Sequence, residues 1–228
     1  MSFHTAAESK QIHIDAMGQE LGPLYDAMWQ QVAWLHTKWG QYVELYGTKD
    51  SRLTLMNQAA PLFFRVVQDT LWEDVLLHIA RLTDRLESMG HPNLSLRRFS
   101  AAIDDDATKL TVETLIEEAI AASEFCRDWR NRHIAHRDLQ LALDAAAKPL
   151  KDASRAKVKE AIKAIDAVLN AISHHYLDST TSFGTGGASS SARSLLYVLD
   201  DGIKADHARR ERMKNGTSTR EDFDSPDL

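Results

Sequence analysis

Apolar residues recur at steps of three and four along most of the chain, which places them on one face of a helix. Between Leu24 and Tyr46 the face is Leu24, Tyr25, Met28, Val32, Leu35, Trp39, Tyr42 and Val43, and Gly47 offers a stop. A short, mostly polar helix over 5–20 precedes it and should end at Gly22-Pro23. The segment 51–87 is strongly apolar, and Pro61 should kink it or start a new helix there. After Pro61 the apolar positions Leu62, Phe63, Val66, Val67, Thr70, Leu71, Val75, Leu76, Ile79 and Leu82 cover a wide arc, so this helix is expected at the centre of the fold. Met89-Gly90-His91-Pro92-Asn93 interrupts the pattern, and a short helix is expected over 95–103. Thr111 reads as the N-cap of a helix over 112–134, with Thr114 in place of the usual capping-box Glu. A shorter helix should follow at 138–147, before Lys148-Pro149. An amphipathic helix over 153–177 carries Val158, Ile162, Ile165, Val168, Leu169 and Ile172, and a last helix spans 192–214. No alternating apolar–polar run bounded by turns marks a strand, so the pattern predicts an all-α protein.

The same pattern sets the organisation. A helical domain is expected over 1–178, a flexible Ser/Gly-rich linker over 179–191 (STTSFGTGGASSS), a C-terminal helix over 192–215 and a disordered tail over 216–228. The 228 residues, 43% apolar and 26% charged, suffice for a core without disulfides or metal staples. The net charge of −6 argues against coating nucleic acid through overall charge and leaves room for a local basic site. One cysteine, Cys126, excludes an internal disulfide framework and a Cys-cluster zinc site, and fits a reducing compartment. No stretch approaches the roughly 18 uninterrupted apolar residues of a membrane span. The N-terminus, MSFHTAAESK, lacks the basic-then-apolar layout of a secretory signal. A cytoplasmic protein without a membrane partner is expected.

Local basicity peaks between Arg127 and Asp138. Arg127, Arg130, Arg132 and Arg137 lie there with His133 and His136, in an otherwise acidic chain. One reading is a solvated helix end, its cations complementing the helix dipole and pairing with Asp128 and Asp138. Two details argue for more. Asn131 is a poor helix former between two arginines, and Ile134-Ala135 draws the flanking histidines toward a core. Arginine presents a fixed fork of donors to phosphate, histidine exchanges a proton near neutrality, and an amide can orient either. Together they suit cleavage of RNA without a metal: His136 takes the 2′-hydroxyl proton, Arg130 stabilises the charge developing on the phosphate, and Asn131 orients.

The string RNRHIAHRD at 130–138, with WLHTKWGQYVELYG at 34–47 and APLFFRVVQDTLWEDVLLHIARLTD at 60–84, resembles the HEPN superfamily, and more narrowly its AbiU-type, abortive-infection members. The resemblance covers 24–140 and rests on the Arg-polar-x-x-x-x-His form of Arg130, Asn131 and His136. It implies a helical bundle that dimerises with the two motifs facing across a shared cleft. It also implies a metal-independent endoribonuclease of antiphage defence or toxin type, or a non-catalytic module that binds RNA, a nucleotide or a protein. A related toxin group carries a tyrosine two residues after the motif histidine; Asp138 stands there, so regulation through that tyrosine is not expected. RNA, single-stranded or tRNA, is the expected substrate. Because an active ribonuclease harms its host, an antitoxin or regulatory partner is expected as well.

Geometry qualifies the pairing. At about 100° per residue, positions six apart lie on different faces of a straight helix. Arg130 and His136 can therefore converge only if the helix ends or bends near 135 or a second subunit completes the site, and both features are expected. Arg132 with His136, and Arg130 with His133, share faces and are alternative pairs. Arg127, Arg132, His133, Arg137 and Asp138 are candidates for substrate binding. So are Arg81 and Asp84, which could instead form a helix-surface ion pair. The five tryptophans, Trp29, Trp34, Trp39, Trp72 and Trp129, read as core or dimer contacts, with Trp129 the one placed to do more. Cys126 reads as a buried structural thiol, and the basic run 209–214 as a solvated face. His174-His175 lack metal-ligand spacing, His13, His36, His78 and His91 form no ligand motif, and Gly184-Thr185-Gly186-Gly187 lacks the Lys of a phosphate loop. No metal and no cofactor are expected.

Overall fold

The computed structural model describes residues 5–136, 138–143, 147–183 and 191–223. Its elements are α1 (Ala6–Tyr46), α2 (Asp50–Ala59), α3 (Pro61–Leu82), β1 (Glu87–Ser88), β2 (His91–Pro92), α4 (Phe99–Ala102), α5 (Asp106–Ala122), α6 (Glu124–Trp129), a π-helical turn over Arg130–Ile134, α7 (Leu139–Leu143), α8 (Arg155–Leu177) and α9 (Ala192–Lys214). Among the described residues the fold is all-α apart from one hairpin of two-residue strands. That hairpin corrects the expectation of no strand: Met89 (φ 52) and Gly90 (φ 78) both take the left-handed region, as a two-residue primed turn requires. No described helix is long and apolar enough to cross a membrane.

The described residues fall into two compact units, one within 1–39 and 71–185, the other within 40–70 and 186–228. In the first, α5 packs along α8. Its core takes Leu21, Tyr25, Met28, Val32 and Leu35 from α1, Val75, Leu76 and Ile79 from α3, Val112 and Ile116 from α5, and Val158, Ile162, Ile165, Val168, Leu169 and Ile172 from α8. Burying one such side chain contributes about 1.5–3 kcal/mol, so packing rather than propensity holds these helices. Ser154 caps α8, its hydroxyl accepting from the Lys157 N–H at 3.3 Å. In the second unit, α2 packs on α9. There Gln41 Oε1 accepts from the Ala192 N–H at 2.7 Å, and the Tyr46 hydroxyl donates to the Phe64 carbonyl at 2.8 Å.

Four expectations shift. The break in α1 lies at Gly18 (φ 81, ψ 177), not at Gly22-Pro23; Pro23 sits inside the helix one turn later. The chain folds back at Gly18, so a Cβ on Gly22 would stand 2.6 Å from Ile14 Cα. His13 and Asp26 meet at 3.0 Å across this hairpin. The N-cap of α5 is Asp105, accepting from the Thr108 N–H at 2.8 Å, whereas Thr111 lies inside the helix with its hydroxyl donating to the Ala107 carbonyl. The expected single helix over 112–134 is divided at Ser123, whose hydroxyl donates to the Ala119 carbonyl, and again by the π turn. Only the second half of α3 is central: Leu62, Phe63 and Val66 are exposed. Pro61 begins that helix, where its missing N–H costs nothing.

Of the stretch expected to be flexible, Phe183 stacks on His36 at 5.2 Å and Thr181 is held by Asn170, while 184–190 lie outside the described residues. Within the expected disordered tail, Arg220–Phe223 form a 3-10 turn. The Arg212 guanidinium beside Asp222 holds that carboxyl well below the usual carboxylate range.

Candidate active site

The cationic segment begins where α6 leaves Ser123 and continues into the π turn. There the Ala135 N–H reaches back five residues to the Arg130 carbonyl at 2.8 Å, and the Asp138 N–H reaches the Arg132 carbonyl at 3.0 Å. The helix therefore widens and ends by 135, where an end or bend was expected. Single π turns inside helices are rare and occur often at functional sites.

The end of α3 receives this segment. Arg127 Nη2 donates to the Thr83 carbonyl at 3.0 Å. Arg130 Nη1 donates to Asp84 Oδ2 at 2.5 Å. Asp84 thus pairs with Arg130 rather than with Arg81, and its second oxygen accepts from the Arg85 N–H. His133 Nε2 lies 3.3 Å from Glu73 of α3, and its ring meets Trp129 edge-on. Trp129 donates its indole N–H to the Lys151 carbonyl and packs on the core.

Arg132 faces the following loop. It donates to Asp138 at 3.1 Å and to the carbonyls of Lys148 and Pro149 at 2.6 and 3.3 Å, with Asp128 at 3.7 Å. Asp138 caps α7 through the N–H groups of Gln140 and Leu141. The Leu141 N–H first, and the Arg132 side chain next, hold its carboxyl below its ordinary value. Arg137 lies outside the described residues. Asn131 and His136 are exposed, and among the described residues neither makes a hydrogen bond or an ion pair.

The motif positions thus divide into a guanidinium held by a carboxylate, two exposed groups free to meet a ligand, and an Arg132–Asp138 pair that ties the loop. Burial pushes the Cys126 thiol up to about 12, in keeping with a structural role. Among the described residues, no group of three or more His, Cys, Asp or Glu side chains is arranged to hold a metal ion. Two neighbours went unnoticed in the sequence. Glu73 is sixty residues from His133 and carries no local signal. Trp34, read as a core or dimer contact, is 56% exposed and lines a cavity with Arg81 and Asp84.

The family model described as AbiU2 matches residues 18–194. The chain belongs to the AbiU2 family of HEPN-domain proteins. No curated protein and no solved structure gives a match. The AbiU2 match spans the π turn, the end of α3 that receives it and α8.

Proposed function

We propose that this AbiU2 protein is an endoribonuclease that cuts RNA through its own 2′-hydroxyl without a metal, in antiphage defence or as a toxin. The observation that carries the reading is the division of labour in the motif: Arg130 is fixed on Asp84 while Asn131 and His136 stand exposed and unpartnered among the described residues. A fixed guanidinium meets developing phosphate charge without reorganising, which is where electrostatic catalysis gains most. An exposed imidazole is open to a ribose hydroxyl.

In the reaction, His136 accepts the 2′-hydroxyl proton and the oxygen attacks the adjacent phosphorus. Arg130 takes the negative charge on the non-bridging oxygens, and Asn131 holds the phosphate or the imidazole in place. The bond to the 5′-oxygen breaks, and that oxygen takes up a proton. The products are a 2′,3′-cyclic phosphate and a 5′-hydroxyl. A second copy of the chain would bring its own motif to the same cleft.

A substrate with a single 2′-deoxy position tests the chemistry. The protein in EDTA should cut an all-ribose oligonucleotide and leave the 2′-deoxy linkage intact at the same site. Equal cutting of both linkages contradicts attack by the ribose hydroxyl.

A further inference from the structure

Beside the motif, α1 and the end of α3 enclose a cavity of about 520 Å³. Gln31, Trp34 and Lys38 reach it from α1 at steps of three and four, and His78 and Arg81 reach it from α3. Asp84 belongs to its wall and is also the carboxylate that holds Arg130, so the cavity adjoins the motif through a shared residue.

Two charges in this wall are already committed, Lys38 to Asp74 at 2.6 Å and Asp84 to Arg130. Arg81 is exposed and has no hydrogen bond or ion pair among the described residues, so it leaves the cavity an uncompensated cation. Trp34 is 56% exposed, and Lys38 Nζ lies 6.0 Å from the centre of its ring. Asn93 is oriented by its amide N–H groups, which donate to the Arg85 carbonyl and to Ser88 Oγ; this leaves its Oδ1 as an acceptor. His78 is buried, and the ammonium of Lys38 donates to its Nδ1 at 3.4 Å, so the ring hydrogen sits on Nε2. That Nε2–H is buried and has no acceptor among the described residues. A wall with an open aromatic face, a free guanidinium and unsatisfied amide and imidazole groups matches a nucleotide: a flat base, a phosphate and polar base edges.

We propose that this cavity binds an unpaired nucleotide of the RNA next to the scissile linkage, with its base stacked on Trp34 and its phosphate on Arg81. The assignment rests on the ribonuclease reading of Arg130 and His136 and adds to it the residues that choose single-stranded substrate. Gln31 and Asn93 face the base edge and set a preference among bases. A base inside a continuous duplex has both faces covered by its neighbours and none left for an indole, so the cavity selects unpaired nucleotides.

The test is binding of a fluorescein-labelled single-stranded RNA oligonucleotide by the full chain, in a His136→Ala background that prevents turnover. Loss of one base–aromatic stack weakens binding by about 5- to 150-fold, so Trp34→Ala should fall in that range and Trp34→Phe should keep most of the affinity. Arg81→Ala should weaken binding and reduce the slope of log affinity against log salt by about 0.7. Circular dichroism of each variant confirms the fold. RNA binding unchanged in Trp34→Ala and Arg81→Ala overturns the subsite; if the parent chain still cuts RNA in a His136-dependent way, the ribonuclease reading stands without it. Failure of the His136→Ala chain itself to bind RNA overturns the subsite, and absence of cleavage by the parent chain then overturns the ribonuclease reading as well. Mononucleotide binding that depends on Trp34, without RNA binding, overturns the RNA assignment in favour of a free-nucleotide site.

Discussion

The cationic side chains of 127–136 divide by what holds them. Arg127 closes the end of α3, Arg132 ties down the loop before α8, His133 meets Glu73, and Arg130 is held on Asp84. Only Asn131 and His136, among the described residues of this stretch with polar side chains, are left open and exposed. On the proposed function, Asp84 acts through Arg130. Asp84→Asn removes the charge that orients the guanidinium, and misplacement of a catalytic group by about 1 Å can cost 10²-fold. Single-turnover cleavage by Asp84→Asn should therefore be slower by about 10- to 100-fold, with His136 still required. An unchanged rate would mean that the pair is only structural.

His78 supplies a second prediction at this scale. Burial first, and Lys38 next, push its imidazole down to about 4. The unfolded chain binds its proton near pH 6.5, the folded chain only near pH 4, so the unfolded state gains protons first as pH falls. The stability that the neutral His78 provides is thus complete above about pH 6.5 and is lost as pH falls toward about pH 4, by a total of about 3 kcal/mol. Urea midpoints measured across this window should fall more steeply in the parent chain than in His78→Gln. Parallel falls would contradict the buried, neutral assignment.

At the scale of elements, two departures from regular helix matter: the fold-back of α1 at Gly18 and the π turn after α6. The first brings Gly22 so near Ile14 that Gly22→Ala forces backbone apart, at a cost of about 1–3 kcal/mol by analogy with overpacked cores. Thermal melting should register it as a clear loss, and an unchanged melting temperature would contradict the close approach. The seams of α1 and α8 could be read in the sequence because their buried positions recur at steps of three and four. The fold-back could not be placed, because Gly18 and Gly22-Pro23 are both ordinary break signals and only the packing of Gly22 chooses between them. Asp105 caps α5, but Thr111 sits just before an apolar run, so pattern alone favoured the wrong start. The exposed first half of α3 looked central because an apolar arc does not record whether a partner covers it. The π turn has no residue signature; the need for it was legible only from the six-residue spacing of Arg130 and His136.

For the whole molecule, the geometry of the candidate site was partly legible. Arg130, Asn131 and His136 stand together in the string, and Asp84 was a candidate from its block. What each would touch was not legible, because Asp84 and Glu73 lie forty-six and sixty residues away and meet the segment only through tertiary packing. Trp34 hid for another reason: tryptophans on amphipathic helices usually pack, and exposure is a property of the fold. A cleft shared by two motifs requires a dimer. Light scattering of the purified chain should therefore give twice its 25.6 kDa mass at micromolar concentration; a monomer that still cuts RNA would contradict the shared cleft.

The most direct test of the central claim is cleavage of total RNA and tRNA in EDTA by the parent chain and by His136→Ala, side by side, with the new ends identified. Cleavage by the parent that leaves 2′,3′-cyclic phosphates, and its loss in a folded His136→Ala, is the predicted result. Cleavage that survives in His136→Ala, or no cleavage by a folded parent chain that also causes no growth arrest on expression, contradicts a ribonuclease built on Arg130 and His136.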